Sequence, residues 1–163
     1  PPPTPNTSSA ASYVYKRQEY SKLFYDLNIE WLNEFFLIED YDKKILSNPQ
    51  KYIINKGGSI FFAKTGGKII GVVALMPTHE PDVYELTKMG VKKSSRNKGI
   101  GKLLLKKCIE QATEIKLKKI IIYSNRKLEN AIYLYKSFGF IEVELEKQSN
   151  YQRADIKLEL LLQ

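Results

Sequence analysis

Residues 88–107, KMGVKKSSRNKGIGKLLLKK, change character twice: the strand-like stretch Val83–Val91 runs into a turn, Arg96-Asn97-Lys98-Gly99-Ile100-Gly101, and the turn opens into a helix. The helix is read from Ile100, Leu103, Leu104, Cys108, Ile109, Ala112 and Ile115, whose i, i+3, i+4 spacing draws one apolar stripe toward Lys116. Glycines at 99 and 101 let the backbone approach a ligand. The first turn of a helix adds unpaired N–H groups and the positive end of the macrodipole. Eight basic residues and no acidic one stand in this stretch. Strand, glycine turn and helix N-terminus in that order predict a phosphate-bearing ligand; the plain alternative is a solvated basic helix start.

Two commoner phosphate loops do not fit. A P-loop needs four residues between its glycines and then Gly-Lys-Ser/Thr, and the dinucleotide fingerprint needs a third glycine where Leu104 stands here. Instead Arg96 precedes Gly99 by three residues, placed to meet the anion that the turn would hold.

An R-x-x-G-x-G turn after a strand resembles the cofactor-binding motif of the GCN5-related N-acetyltransferase family. Downstream, residues 130–140, NAIYLYKSFGF, are similar to that family's A-x-x-L-Y-x-x-x-G-F helix and turn. The resemblance runs from about Ile60 to the C-terminus and more loosely over the helical region before it. It implies an α/β fold with a mixed, mostly antiparallel central sheet, flanking helices and a splay at the cofactor site. It implies acetyl-CoA as cosubstrate, no metal, and direct transfer of acetyl to a primary amine of a small molecule, polyamine or protein.

The resemblance also assigns residues. Backbone N–H groups around Met89, Gly90 and Val91 would hold the pantetheine arm and polarise the acetyl carbonyl, while Arg96, Asn97, Lys98, Gly99, Ile100, Gly101 and Lys102 would surround the phosphates. Tyr135 stands where the family's tyrosine protonates the departing thiolate. Glu85, four residues before the carbonyl-binding position, would accept a proton from the amine. Strand alternation places Glu85 on one face with Met89 and Val91. Asn125 and Asn130 flank the start of the last helix, to cap it or to touch pantetheine or phosphate. Many members have asparagine seven residues before the tyrosine, where this chain has Leu128. Tyr133 faces elsewhere and is expected to pack.

The chain has 163 residues, 43% of them hydrophobic, which predicts one domain over 13–163. Residues 1–12, PPPTPNTSSAAS, read as a flexible leader or processing remnant. With neither a membrane-length apolar run nor a signal peptide, a soluble cytoplasmic protein is expected. A homodimer is compatible with the sequence. The single cysteine, Cys108, reads as a core residue, and the sole histidine, His79, supports neither a triad nor a zinc site.

A net charge of +8 raises the alternative of a nucleic-acid-binding domain. The lysines concentrate around one turn, however, and the aromatics form no base-stacking platform. A noncatalytic CoA-binding regulatory module of the same fold is the other rival, disfavoured because Glu85 and Tyr135 are both present. From Glu19 to Asp42, seven acidic residues (Glu19, Asp26, Glu30, Glu34, Glu39, Asp40, Asp42) stand against Lys22 alone. That asymmetry predicts a cationic amine acceptor.

Elements are expected as follows. A short strand at 13–16 precedes a helix over 19–36 with Leu23, Leu27, Trp31 and Phe35 as its stripe, and a second helix covers 40–46. Strands at 59–64 and 68–76 flank a Thr65-Gly66-Gly67 hairpin turn, and after the 83–91 strand and its helix comes a strand at 119–124. A helix over 129–138 ends at Gly139, and strands at 140–146 and 154–162 close the chain.

Overall fold

The computed structural model describes residues 18–162, so the expected leader and the strand at 13–16 lie outside the described residues. Helices α1 (Gln18–Phe35), α2 (Asp40–Ser47) and the single turn α3 (Pro49–Tyr52) precede the hairpin β1 (Ser59–Thr65) and β2 (Lys68–Pro77). Then come β3 (Val83–Val91), α4 (Ile100–Glu114), β4 (Lys119–Ser124), α5 (Glu129–Ser137), β5 (Ile141–Val143) and β6 (Ile156–Leu161). The six strands form one sheet in the order β1-β2-β3-β4-β6-β5, and every neighbouring pair is antiparallel except β3 and β4.

Each face of the sheet carries its own core, because alternate strand residues point to opposite sides. Phe61 and Ala63 of β1, with Val73 and Leu75 of β2, pack against Leu104, Leu105, Cys108 and Ala112 of α4. Ile60 and Phe62, with Val72 and Ala74, pack against Phe24, Leu27 and Leu32 of α1 and Ile45 and Leu46 of α2. Close approach of α1 depends on Gly90, where a Cβ would lie 2.8 Å from a Trp31 ring carbon and 3.0 Å from the Leu27 carbonyl oxygen.

The hairpin turns on Gly66 and Gly67, both with positive φ (55° and 79°), the pair of left-handed residues that a two-residue turn needs. Gly139, at φ 96°, ends α5 as expected.

Four expectations need correction. The buried stripe of α1 is Phe24, Leu27, Asn28 and Leu32, while Leu23 and Trp31 are half-buried and Phe35 is 42% exposed. Pro49 does stop α2, but it also starts α3 from the first helical position, with Asn48 accepting a hydrogen bond from the Lys51 N–H at 3.2 Å. The α4 helix ends at Glu114, two residues early, as the chain turns through Lys116 at φ 61°. Only Ile141–Val143 of the expected 140–146 strand pairs, because β5 sits at the sheet edge and its continuation leaves the ladder.

Candidate active site

Strands β3 and β4 are hydrogen-bonded over three residue pairs only, Val83 with Lys119, Tyr84 with Ile120 and Glu85 with Ile121. Beyond them the strands diverge and a cleft of ≈ 720 Å³ opens, walled by residues 86–91 on one side and 122–125 on the other. The volume lies within the ~300–1,000 Å³ usual for ligand sites. Along 86–91 the edge of β3 that faces β4 has no strand partner, so its backbone groups border the opening.

The divergence coincides with a β-bulge. Val72 pairs with Gly90 and Ala74 with Thr87, so Lys88 and Met89 together oppose Val73. Lys88 absorbs the extra residue at φ 53°.

One end of the cleft is the N-terminus of α4. Gly99 is its N-cap at φ 80°, provides no side-chain cap, and is followed by no acidic residue in the first turn. A Cβ on Gly99 would meet nothing within 4 Å, and one on Gly101 only Leu134 at 3.6 Å, so the turn presents bare backbone to the cleft. This is the charge and shape that an anion requires. Asn97 also has positive φ, 62°. Arg96 lines the cleft but its guanidinium is engaged: Nη1 meets Glu34 at 2.8 Å and Nε donates to the Val91 carbonyl at 3.2 Å. Its Nη2 is buried with no partner.

Tyr135 reaches the cleft from α5, buried to 6% exposure, its ring tilted against Phe140 at 6.1 Å. Burial pushes its hydroxyl pKa well above the ordinary value, which keeps the phenol protonated. No described residue hydrogen-bonds that hydroxyl.

Glu85 is 4% exposed and points to the opposite face of the sheet from Met89 and Val91, contrary to the alternation argument. The bulge at Lys88 is the reason, since one extra residue reverses the alternation beyond it. Glu85 therefore joins Thr87 and Lys88 in a buried polar cluster. The Tyr151 hydroxyl donates to Glu85 Oε2 at 2.8 Å and shares a 3.1 Å hydrogen bond with Thr87. Lys88 Nζ donates to Asp42 at 2.8 Å and, more weakly, to Tyr151 at 3.4 Å. Arg153 Nη2 donates to Asp42 at 2.8 Å, and Arg153 Nη1 meets Glu39 at 3.1 Å. Burial raises the pKa of Glu85 against the opposing pull of Lys88 and of the Tyr151 hydrogen bond. Burial acts in the same direction on Asp42, yet Arg153 and Lys88 outweigh it and hold that carboxyl at about 2.

Residues 17–140 match the acetyltransferase (GNAT) family. The chain belongs to this family. N-acetyltransferase family 8 member 2 of Rattus norvegicus is 28% identical over 99 residues, covering 58% of this chain and 44% of the rat protein. The uncharacterized N-acetyltransferase YvbK of Bacillus subtilis is 31% identical over 105 residues, covering 63% of this chain and 67% of YvbK. The matched part thus spans less than half the length of the rat relative. The fold matches that of a GNAT-family acetyltransferase from Staphylococcus aureus Mu50 with a TM-score of 0.81 at 24% identity, over 91% of this chain and 96% of the other.

Within this GNAT fold, the residues expected around the cofactor gather on one cleft: 89–91, 96–97, 99–102, Asn125 and Asn130 all line it, along with Tyr135, while Lys98 stands exposed in the same turn. Neither asparagine caps α5, whose N-cap is Leu128 without a side-chain bond. The Asn125 side chain instead accepts from the Lys127 N–H at 2.9 Å and donates to the Arg153 carbonyl at 2.7 Å, while Asn130 is exposed. Tyr133 is 78% exposed at the rim of the cleft rather than packed.

The acidic segment also differs from its reading as an open field. Glu30 accepts from the Lys93 N–H, Glu34 pairs with Arg96, Glu39 and Asp42 with Arg153, and Asp26 with Lys22. Much of that charge is answered inside the molecule. Sequence reasoning missed Tyr151, Asp42 and Arg153 as neighbours of Glu85, and Trp31, Phe35 and Phe36 as an aromatic wall of the cleft. The four-residue spacing had placed Trp31 and Phe35 on the core stripe of α1, so it gave no sign of that wall. Among the described residues no group could hold a metal ion, and no helix is long and apolar enough to cross a membrane.

Proposed function

We propose that this chain transfers the acetyl group of acetyl-CoA directly to a primary amine. One cleft carries the reading: the open edge of β3, the bare glycine turn at α4 and the buried, protonated Tyr135 all border it. Acetyl-CoA bound there supplies an acyl group activated as a thioester. The backbone along Met89–Val91 holds the pantetheine arm and polarises the carbonyl, and the turn from Arg96 to Lys102 binds the phosphates, helped by the macrodipole. Asn125 and Asn130 border the arm. As the amine nitrogen forms its bond to the carbonyl carbon and the carbon–sulfur bond breaks, Tyr135 gives its proton to the sulfur. Glu85 receives the proton that the amine loses, and its raised pKa suits it to that role. Positioning and preorganised donors supply most of the acceleration.

Residues 13–163 act in this reading as one catalytic domain. The test is calorimetry with acetyl-CoA and CoA, followed by thiol release across a panel of primary amines. Binding of acetyl-CoA and amine-dependent thiol release are expected. Absence of binding would refute the reading, and tight CoA binding without turnover on any amine would identify a noncatalytic CoA module instead.

A further inference from the structure

Glu85, the proton acceptor in the reaction proposed above, does not itself line the cleft; Thr87, Lys88 and Tyr151 do. A proton leaving an amine in the cleft therefore needs an intermediary. We propose that Tyr151 is a relay between acceptor amine and Glu85: its hydroxyl oxygen takes a proton from the amine while its own O–H proton passes to Glu85 Oε2. The sum is one proton moved, a neutral tyrosine at both ends, and Glu85 changed from carboxylate to carboxylic acid. The inference rests on the acetyltransferase reading and deepens it.

The geometry favours this group over its neighbours. Lys88 and Arg153 also border the cleft, but the Lys88 ammonium, kept charged against burial by Asp42 at 2.8 Å, and the guanidinium have no lone pair to accept a proton. The Thr87 hydroxyl is bonded to Tyr151 at 3.1 Å, a longer link than the phenol's own to Glu85. Tyr151 has a lone pair, and its donor bond to Glu85 is 2.8 Å, the shortest link that the phenol makes within the cluster. The 3.4 Å contact from Lys88 is long enough to yield to an incoming amine. Four groups pack the ring: Tyr41 meets it edge-on at 5.1 Å and Tyr123 lies tilted to it at 6.0 Å, while Lys88 and Arg153 stand over it at 4.6 and 5.0 Å. A phenol so fixed is preorganised for transfer. Nothing in the local sequence marks Tyr151, which lies in the irregular connection between β5 and β6.

The groups that set the charge around Glu85 are Lys88 on its own strand, Asp42 and Tyr41 on α2, Tyr123 on β4, and Tyr151 and Arg153 on the connection. The Tyr151 hydrogen bond stabilises the carboxylate, so its loss moves the acid limb of the pH–rate profile to higher pH.

The experiment measures kcat and kcat/KM against pH by thiol release for the wild type, Tyr151→Phe, Glu85→Gln and the double variant, with calorimetry for acetyl-CoA. Tyr151→Phe is expected to lower kcat about 10²-fold, the low end for lost general acid–base assistance, with acetyl-CoA affinity unchanged. The acid limb should move upward, and the double variant should be no slower than Glu85→Gln, since both act on one path. Wild-type kcat and pH profile in Tyr151→Phe, or losses that multiply in the double variant, would overturn the relay. Should Tyr151→Phe misfold, 2,3-difluorotyrosine at 151 keeps the shape and makes the hydroxyl more acidic; an unmoved profile then counts equally against it. A wild type that turns over while the Tyr151 variants match it defeats the relay alone, whereas a wild type that binds no acetyl-CoA defeats the acetyltransferase reading as well.

Discussion

Lys88 sits in mid-strand at φ 53°, a conformation that costs a non-glycine residue about 1–2 kcal/mol. What holds it there is its ammonium, 2% exposed and paired at 2.8 Å with Asp42, which is fully buried. Removing the ammonium in Lys88→Met leaves Asp42 with Arg153 as its one charged partner, beside the Glu39 N–H at 3.0 Å, in a low-dielectric setting. Urea unfolding should show a loss of about 3 kcal/mol, at the low end for a broken buried pair because Arg153 remains. Tyr135 tests the opposite case, in which shape is kept and chemistry removed. Tyr135→Phe should leave acetyl-CoA affinity and melting temperature near wild type while kcat falls about 10²-fold, read from calorimetry, thermal denaturation and thiol release. At this scale the sequence was legible where function follows from local spacing. Gly99, Gly101 and Tyr135 could be picked out because a turn and a helix fix their neighbours within a few residues. Asp42 and Tyr151 could not, since they meet Lys88 and Glu85 across 46 and 66 positions of chain.

Elements were readable wherever one periodicity held. The Gly-Gly hairpin and the β4 run follow from it, and α4 does in part, since Leu104, Cys108 and Ala112 are buried as expected but so is Leu105, while Ile115 is exposed; the sheet came out mixed and mostly antiparallel as the resemblance implied. The reading failed at the bulge in β3, because a lysine, not a glycine, takes the left-handed position and leaves no mark in the sequence. A single misplaced residue there turned Glu85 to the wrong face. The N-terminus of α4 offers a test at this scale. Gly101→Ala fits the space beside Leu134, and alanine is the better helix former by about 0.8–1 kcal/mol, so the melting temperature should hold or rise. In Gly101→Val, by contrast, acetyl-CoA affinity should fall, because the larger side chain crowds the helix N-terminus at which a phosphate would approach the backbone. Calorimetry and thermal denaturation on both variants separate the two effects. Unchanged affinity in Gly101→Val would remove that turn from the site.

Across the whole molecule, Asp42 joins parts distant in the chain: α2 through its backbone, β3 through Lys88, and the β5–β6 connection through Arg153. With its pKa lowered from 3.8 to about 2, its contribution is complete above the unfolded value and is lost as pH falls through that interval. Acid titration followed by circular dichroism should show stability falling between those limits, and Asp42→Asn should flatten that part of the curve. Such ties were beyond sequence reading, and so were the two cores, because β1 and β2 are continuous apolar runs buried on both faces. The three pairs between β3 and β4 have a further consequence. They make the sheet two three-stranded leaves on a short spine, with α4 laid across both. A ligand seated in the gap touches each leaf and serves as the missing rungs. At a hundredfold excess over Kd it should add about 2.7 kcal/mol of stability by mass action. Hydrogen exchange should then slow along 86–91 and 122–125 together, so that the cosubstrate acts for a time as a structural member of the fold that binds it.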